Sequence, residues 1–238
     1  VAEESERGKL VVLLNFPNNP TGYAPTETEA KALADALVAA AERGCRVVVV
    51  CDDAYFGLFY EPETFTQSLF ARFCDLDANV LAAKVDGSTK EDLTWGFRSG
   101  FVTFGGKGLG EAHHEALVRK LMGAVRSTVS NSSVLAQNLV LRAVKSPTYE
   151  AEKRAAFDEL AARYRKVKAI LAARASAALA PLPFNSGYFL SFRLARGTAE
   201  DLRRELLFQD GVGTIAIDEK VLRVAFSSVD LADLERLF

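Results

Sequence analysis

Three short segments of the 238-residue chain contain side chains that can do chemistry. Asn19 stands in the sequence Asn-Pro-Thr-Gly, and Asp52 and Tyr55 follow in "CDDAYFG". Lys90 lies in "DGSTKEDLTWGFRSG", which also contains Arg98. A lysine amine can attack a carbonyl carbon or move a proton, and an arginine fork binds phosphate or carboxylate. These residue types could together bind an anionic ligand and act on it.

Each of these residues also has an ordinary structural interpretation. A lysine in "STKED" is usually a solvated loop residue, and an aspartate after "VVVV" often caps a helix or forms a turn. The asparagines can simply build a turn, with Asn15 and Asn18 as turn formers. A further arginine, Arg223 in "VLRVAFS", can be a surface charge, as most arginines are. The functional interpretation therefore depends on the combination and not on any single residue.

The elements around these segments predict a parallel sheet. "KLVVLLNF" and "CRVVVVCD" are short continuous apolar runs, which is typical of strands buried on both faces. The stretch between them predicts a helix, because Thr26 and Glu29 have capping-box spacing and Gly44 can end it. Strand, helix, strand is a βαβ unit. Ligands bind beyond the carboxyl ends of such strands, where Asn19, Asp52 and, by our expectation, Lys90 would converge.

The rest of the sequence predicts two domains in an α/β fold. Residues 1–146 form a mostly parallel sheet with flanking helices, to which "NVLAAKV" and "SGFVTFG" add strands. Residues 147–238 hold a long linking helix and a small C-terminal α+β domain. The long helix is expected to begin with Ser146 as its N-cap and Pro147 at its first position. "LAPLPFNSG" is interpreted as a break before "YFLSFRL".

Composition, and short segments that match known motifs only in part, argue against several function classes. Apolar residues make up 49%, charged residues 25%, and the net charge of −2 gives no support for a nucleic-acid partner. No apolar run approaches the roughly 18 residues that span a bilayer, so no membrane partner is expected. Three cysteines without C-x-x-C spacing favour a reducing, cytoplasmic setting. The adjacent His113 and His114 would diverge on a helix, and no metal site is predicted. "GVGTIA" and "FGGKGLG" lack the context of dinucleotide and P-loop motifs.

The three segments and the later one with Arg223, taken in order, resemble the motifs of one enzyme family. N-P-T-G, D-x-A-Y, a lysine followed by arginine in G-x-R-x-G, and a late L-R-x-x-F-S are similar to the class I/II aminotransferases. These are fold-type I enzymes that use pyridoxal 5′-phosphate, and the resemblance runs from Leu10 to Phe226. It implies a partial cofactor-binding large domain at 1–146. It also implies transfer of an amino group between an amino acid and a 2-oxo acid, and a homodimer.

The resemblance implies a role for each residue of the cofactor site. Lys90 would form a Schiff base with the cofactor and later move a proton as a base. Asp52 would pair with the pyridine nitrogen and keep it protonated. Asn19 and Tyr55 would donate to the phenolic oxygen, and Arg98 would bind the phosphate.

Three further assignments follow from the same resemblance. Ser88 would be a second phosphate ligand, Arg223 would hold the substrate α-carboxylate, and Asn185 in "FNSGYF" would approach the substrate. The family usually has a serine three residues before the lysine, where this chain has Gly87. Phosphate binding is therefore expected to depend more on other groups.

The resemblance also predicts an incomplete site. Family members carry a long segment before N-P-T-G that supplies a phosphate-binding turn, an aromatic stacked on the cofactor ring and a tyrosine for the neighbouring subunit. Residues 1–14 are too few to hold these, which leaves a truncated chain, a second polypeptide or a degenerate gene product as explanations. We expect weak cofactor binding by this chain, open apolar surface and self-association. A carbon–sulfur lyase or decarboxylase, and a non-catalytic effector domain or fragment, are the alternative functions.

Overall fold

A computed structural model describes residues 1–174 and 176–238, and these residues separate into two compact units. The first unit consists of Val1–Phe16, Pro25–Gly57 and Phe65–Pro147. The second consists of Pro17–Ala24, Leu58–Thr64 and Thr148–Phe238. Two short early segments thus belong to the unit formed mainly by the last third of the chain. The functions assigned to the two predicted domains stay predictions.

The first unit contains the mostly parallel sheet that the sequence predicts. Its four strands are β1 (Lys9–Asn15), β2 (Arg46–Asp52), β3 (Val80–Asp86) and β4 (Phe101–Gly105). They lie in the order β1-β2-β3-β4. The first three strands are parallel, and β4 runs antiparallel to β3. The carboxyl ends of β1, β2 and β3 therefore reach the same edge of the sheet.

Six helices accompany this sheet among the described residues: α1 (Ala2–Ser5), α2 (Glu27–Glu42), α3 (Leu69–Phe73), α4 (Ser88–Glu91), α5 (Glu111–Thr128) and α6 (Val134–Val144). The predicted capping box of α2 is confirmed. Thr26 Oγ1 accepts from the Glu29 backbone N–H, and Glu29 Oε2 accepts from that of Thr26 at 2.8 Å. Within the described part of the chain, no helix is both long and apolar enough to cross a membrane.

Among the described residues, one face of this sheet packs into the core of the first unit. Val47 and Val49 of β2 and Phe73 of α3 are buried there together with the small side chains of α2. On β1, alternate residues point to the core, whereas Val11 and Leu13 are 64% and 67% exposed. The prediction that β1 is buried on both faces is therefore wrong. A continuous apolar run indicated two covered faces, but only one of them packs against α2 and α3.

The second unit combines a long helix with a small antiparallel sheet. Its elements are α7 (Tyr149–Ala173), β5 (Leu179–Pro181), β6 (Leu190–Leu194), α8 (Ala199–Gln209), β7 (Ile215–Ala216), β8 (Val221–Val224), a 3₁₀ turn (Phe226–Ser228) and α9 (Leu234–Leu237). The strand order is β5-β6-β8-β7. One face of α7, including Tyr164, Val167 and Ile170, packs against buried residues of β6 and β8. This arrangement is the small α+β domain that the sequence predicts.

Two predicted boundaries in this region are wrong. Helix α7 begins at Tyr149, with Thr148 at its N-cap, and not at Pro147. The backbone N–H of Ser146 is still bonded to the Ala143 carbonyl at the end of α6, so this residue does not cap α7. The stretch interpreted as a break contains β5, because Leu179–Pro181 pair with β6 in an antiparallel register.

The turn at Asn-Pro-Thr-Gly is tightly bonded within the second unit. Asn18 Oδ1 accepts from the Thr21 backbone N–H at 3.2 Å and from its hydroxyl at 2.7 Å. The Asn18 N–H donates to the Tyr23 carbonyl at 2.8 Å, and the Asn19–Pro20 peptide bond is cis. The prediction that Asn18 is a turn former is confirmed, whereas Asn15 is the last residue of β1.

Gly22 ends this turn at a place where no side chain fits. Its φ is +74°, which glycine adopts without strain. A Cβ on Gly22 would overlap the carbonyl oxygen of Phe189 and lie 2.9 Å from that of Ser186. The turn therefore depends on a glycine for two separate reasons.

The Gly22→Ala substitution is expected to lower the free energy of unfolding by roughly 2–5 kcal/mol. Overpacking against a backbone oxygen costs about 1–3 kcal/mol, and the left-handed backbone adds about 1–2 kcal/mol. Gly197→Ala is the matched control, because Gly197 has a φ of +68° and open space around it. The Gly197→Ala variant should lose only the roughly 1–2 kcal/mol that the left-handed backbone costs. Urea denaturation measures both, and equal losses would contradict the steric argument.

Candidate functional site

A cavity of about 350 Å³ lies in the first unit at the carboxyl ends of β2 and β3. It is lined by four of the predicted site residues, Asp52, Tyr55, Lys90 and Arg98. The structure thus brings together an acid, a phenol, an amine and a guanidinium at the sheet edge. Two elements that are distant in sequence, the end of β2 and the connection from β3 to β4, supply them.

Asp52 is held at the last position of β2. Its backbone carbonyl accepts from the Phe16 N–H and from Asn15 Nδ2, both at 3.3 Å. Its Oδ1 accepts from the Ala54 N–H at 3.2 Å. These contacts hold the carboxylate at the cavity wall, since both the backbone and the side chain of Asp52 are bonded.

Lys90 lies on the single-turn helix α4 and points to the same cavity. Its Nζ is 5.6 Å from the centre of the Tyr55 ring. Partial burial lowers the pKa of Lys90, and the nearby positive charge of Arg98 lowers it further. A lowered pKa increases the fraction of neutral amine, which is the nucleophilic and basic form.

The connection that carries Lys90 and Arg98 is closed at its base by two glycines. A Cβ on Gly87 would lie 2.7 Å from the Ser99 carbonyl oxygen, and one on Gly100 would lie 2.8 Å from that of Asp86. A serine at position 87 would collide with that backbone. The departure from the family pattern at Gly87 thus has a steric cause in this chain.

Ser88, the predicted second phosphate ligand, is not among the residues that line the cavity. It is buried, and Thr94 Oγ1 lies 2.9 Å from both its hydroxyl and its carbonyl oxygen. Thr89 and Ser99 line the cavity instead. Ser99 is buried, and its hydroxyl has no hydrogen-bond partner among residues 1–174 and 176–238. Sequence reasoning missed both, although the hydroxyl residues next to Lys90 and Arg98 were a signal to consider them.

A second group of charges lies beside this cavity. The Lys84 ammonium forms an ion pair with Asp86, which lines the cavity, and lies 3.9 Å from Asp53. Asp53 is buried, and its Oδ2 has no hydrogen-bond partner in the described part of the chain. Burial raises the pKa of Asp53 to about 6, against the lowering effects of Ser68 and Lys84. Burial also raises the pKa of the Cys51 thiol to about 12, so this cysteine is not a nucleophile.

The three remaining predicted residues lie in the second unit. Asn19 Oδ1 accepts from Arg223 Nη1 at 2.8 Å. The Asn185 carboxamide is buried and accepts from the Ala24 N–H and donates to the Ala24 carbonyl, both at 2.8 Å. Asn185 therefore fastens the end of the Asn-Pro-Thr-Gly turn. The prediction that it also approaches the substrate stays a prediction.

The burial of Asp53 predicts an unusual pH dependence of stability. Its pKa rises from 3.8 to about 6 on folding, so the folded state holds this proton more tightly than the unfolded state. The resulting stabilisation is complete below pH 4 and is lost as the pH rises to about 6. The loss is on the order of 3 kcal/mol, at about 1.4 kcal/mol for each pKa unit.

Urea denaturation of wild type and Asp53→Asn between pH 4 and pH 7 isolates this contribution. The wild type should lose stability relative to the variant as the pH rises, because the asparagine does not titrate. Asp35→Asn, at an exposed site on α2, is the control for a general loss of charge. A constant difference between wild type and Asp53→Asn over this range would contradict the assignment.

Comparison with known proteins identifies the family. The model of the family "Aminotransferase class I and II" matches residues 1–238, which is the whole chain. A probable aspartate/prephenate aminotransferase of Aquifex aeolicus is 31% identical over 143 residues, which cover 60% of this chain and 32% of that protein.

Solved structures show the same fold. An aminotransferase from Anaerococcus prevotii superposes with a TM-score of 0.84 at 23% identity, over 99% of this chain and 57% of that one. An aromatic aminotransferase from Pyrococcus horikoshii gives 0.72 at 17% identity, over 94% and 57%. An aspartate aminotransferase from Thermotoga maritima gives 0.70 at 19% identity, over 100% and 60%. The chain spans less than two thirds of each of these proteins. With its whole length matched by the family model, the chain belongs to the class I and II aminotransferases.

Proposed function

We propose that this chain belongs to a pyridoxal-phosphate-dependent aminotransferase, which transfers an amino group between an amino acid and a 2-oxo acid. The observation that carries the proposal is the cavity shared by Asp52, Tyr55, Lys90 and Arg98. An amine with a lowered pKa lies in it together with a carboxylate and a guanidinium. These groups suit the aldehyde, the ring nitrogen and the phosphate of this cofactor.

The residues of the cavity fit the cofactor in size and chemistry. Its volume of about 350 Å³ lies at the lower end of the range for small-molecule sites. Gly87 and Gly100 keep its base free of side chains, and the unpartnered hydroxyl of buried Ser99 is available to an anionic group. When bound, pyridoxal phosphate supplies an electron sink for the carbanion that forms when a substrate loses its α-proton.

Each residue then has a task of its own. Lys90 would hold the cofactor through Nζ and move the substrate proton. Asp52 would keep the ring nitrogen protonated from the end of β2, and Tyr55 would donate to the phenolic oxygen. Arg98 would bind the phosphate, with the Thr89 hydroxyl in place of the buried Ser88 hydroxyl. The predicted bond from Asn19 to the phenolic oxygen stays a prediction.

Arg223 is proposed to hold the α-carboxylate of the amino acid or oxo acid. Among residues 1–174 and 176–238, no carboxylate lies within the 4.0 Å ion-pair distance of its guanidinium. A half-buried arginine without an acidic partner suits a planar anion, which it can bind with two parallel hydrogen bonds.

Covalent trapping tests the role of Lys90. We expect borohydride reduction of the chain with pyridoxal phosphate at neutral pH to leave the cofactor on the peptide that contains Lys90. The reason is that burial and the charge of Arg98 lower the pKa of Lys90, which increases its fraction of neutral amine relative to an exposed lysine. Mass spectrometry of wild type, Lys90→Ala and the control Lys107→Ala, at an exposed lysine, locates the label.

The label should disappear from this peptide in Lys90→Ala and stay in Lys107→Ala. Labelling spread evenly over the surface lysines of the wild type would refute the cofactor site. It would instead favour the non-catalytic alternative.

We also propose that copies of the chain associate, as the homodimer predicted from the family resemblance requires. Helix α5 has no buried side chain among its described residues. Val118, Met122 and Val125 form an apolar stripe on it with exposures of 51%, 67% and 40%. Stripes of this spacing usually pack against another element. The predicted cytoplasmic setting stays a prediction.

Light scattering during size-exclusion chromatography tests this association. The wild type should give a molar mass that rises with concentration towards at least twice 25.9 kDa. Met122→Lys should lower this mass because it places a charge in the stripe, whereas Ala124→Lys, an exposed site on the opposite side of α5, should not. A wild type that stays monomeric at all concentrations would contradict the proposal.

A further inference from the structure

The guanidinium of Arg223 lies against an aromatic ring in the second unit. Its Cζ is 4.3 Å from the centre of the Phe189 ring, which lies immediately before β6. Its Nη1 donates to Asn19 Oδ1 at 2.8 Å. Contact at this distance is a cation–π interaction, which attracts a cation to the ring face. One edge and one face of the guanidinium are therefore engaged by uncharged groups.

The remaining donors of Arg223 have no protein acceptor in the described part of the chain. A guanidinium carries five N–H donors, and the bond to Asn19 uses one of them. Asn19 and Phe189 orient the positive charge without neutralising it. The side chain thus keeps its full charge and several donors for an anionic ligand.

The Phe189 ring is itself held in place by the surrounding backbone. The carbonyl oxygen of Phe189 meets Gly22 so closely that a Cβ there would overlap it. Ser191, two residues further on, donates from Oγ to the Pro20 carbonyl at 2.8 Å and pairs in register with Arg223 across β6 and β8. The Tyr188 ring contacts Phe189 edge to face, at 6.2 Å between centres. These contacts hold the backbone that carries the ring, and the Tyr188 ring packs against its edge.

We propose that Phe189 is a positioning residue that sets the affinity of this site for carboxylates. Its ring fixes the plane of the Arg223 guanidinium, so that the remaining N–H groups face a carboxylate in the two-bond geometry. The inference rests on the proposed role of Arg223 in substrate binding and extends it to a residue that touches no substrate. An aliphatic residue of similar size would fill the space but would not fix the plane.

The experiment uses the full chain with ¹⁵N-labelled arginine and follows the Nε–H signal of Arg223 by NMR. The Arg223→Lys variant identifies this signal by its disappearance. Without ligand, the wild-type signal should show a ring-current shift and slow solvent exchange. Phe189→Leu should lose both, and the matched variant Phe189→Tyr should keep both, because tyrosine retains the ring.

Titration with 2-oxoglutarate then measures affinity at the same signal. The dissociation constant of Phe189→Leu should rise roughly threefold to tenfold, which is the range that a partly exposed cation–π contact provides. That of Phe189→Tyr should stay within about twofold of the wild type. Equal unfolding midpoints of the two variants show that folding is unaffected.

Two negative results separate this inference from the function on which it rests. A wild-type Arg223 signal that does not respond to 2-oxoglutarate overturns the carboxylate role of Arg223, and the affinity claim for Phe189 with it. The other result is a wild type that binds 2-oxoglutarate and a Phe189→Leu variant with the same Arg223 shift, solvent exchange and affinity. That result overturns the role of Phe189 alone.

Discussion

The close contact between the backbones at Gly87 and Gly100 is the constraint on which the candidate cofactor site depends. Neither position has room for a Cβ, because each faces a carbonyl oxygen of the opposite segment. The connection between β3 and β4 therefore begins and ends at one point, as in compact surface loops whose ends are held together. Lys90 and Arg98 are carried by this loop. Their common position beside Asp52 follows from that closure.

A similar constraint organises the second unit. Gly22 lets the Asn-Pro-Thr-Gly turn lie directly on the backbone of Phe189. The carboxamide of Asn185 and the hydroxyl of Ser191 then hold the two ends of that turn to the same region. Asn19 is placed beside Arg223 by these contacts. In both units, a glycine with no space for a side chain brings two segments close enough for their polar residues to meet.

The charges around the cavity of the first unit matter for its chemistry as much as the shape of the cavity does. Asp52 and Asp86 line the cavity together with Lys90 and Arg98, so both signs of charge are present in one small space. Burial lowers the pKa of Lys90, and the positive charge of Arg98 lowers it further, which increases the fraction of neutral amine. The ion pair of Lys84 with Asp86 offsets one of the acids. The same cavity thus holds a guanidinium beside an amine whose pKa is lowered.

Local sequence by itself determined most of the elements, and the order of the motifs pointed to four of the residues that line the cavity. The capping box at Thr26, the apolar runs of β2 and β3 and the βαβ order depend on neighbouring residues, so they could be predicted. Only the tertiary structure decided that Thr89 lines the cavity in place of Ser88, because one helical turn directs their hydroxyls differently. The pairing of Asn185 with Ala24 and the open face of β1 likewise depend on segments far apart in the chain. Contacts of that kind leave no local pattern in the sequence, since packing between distant segments creates them.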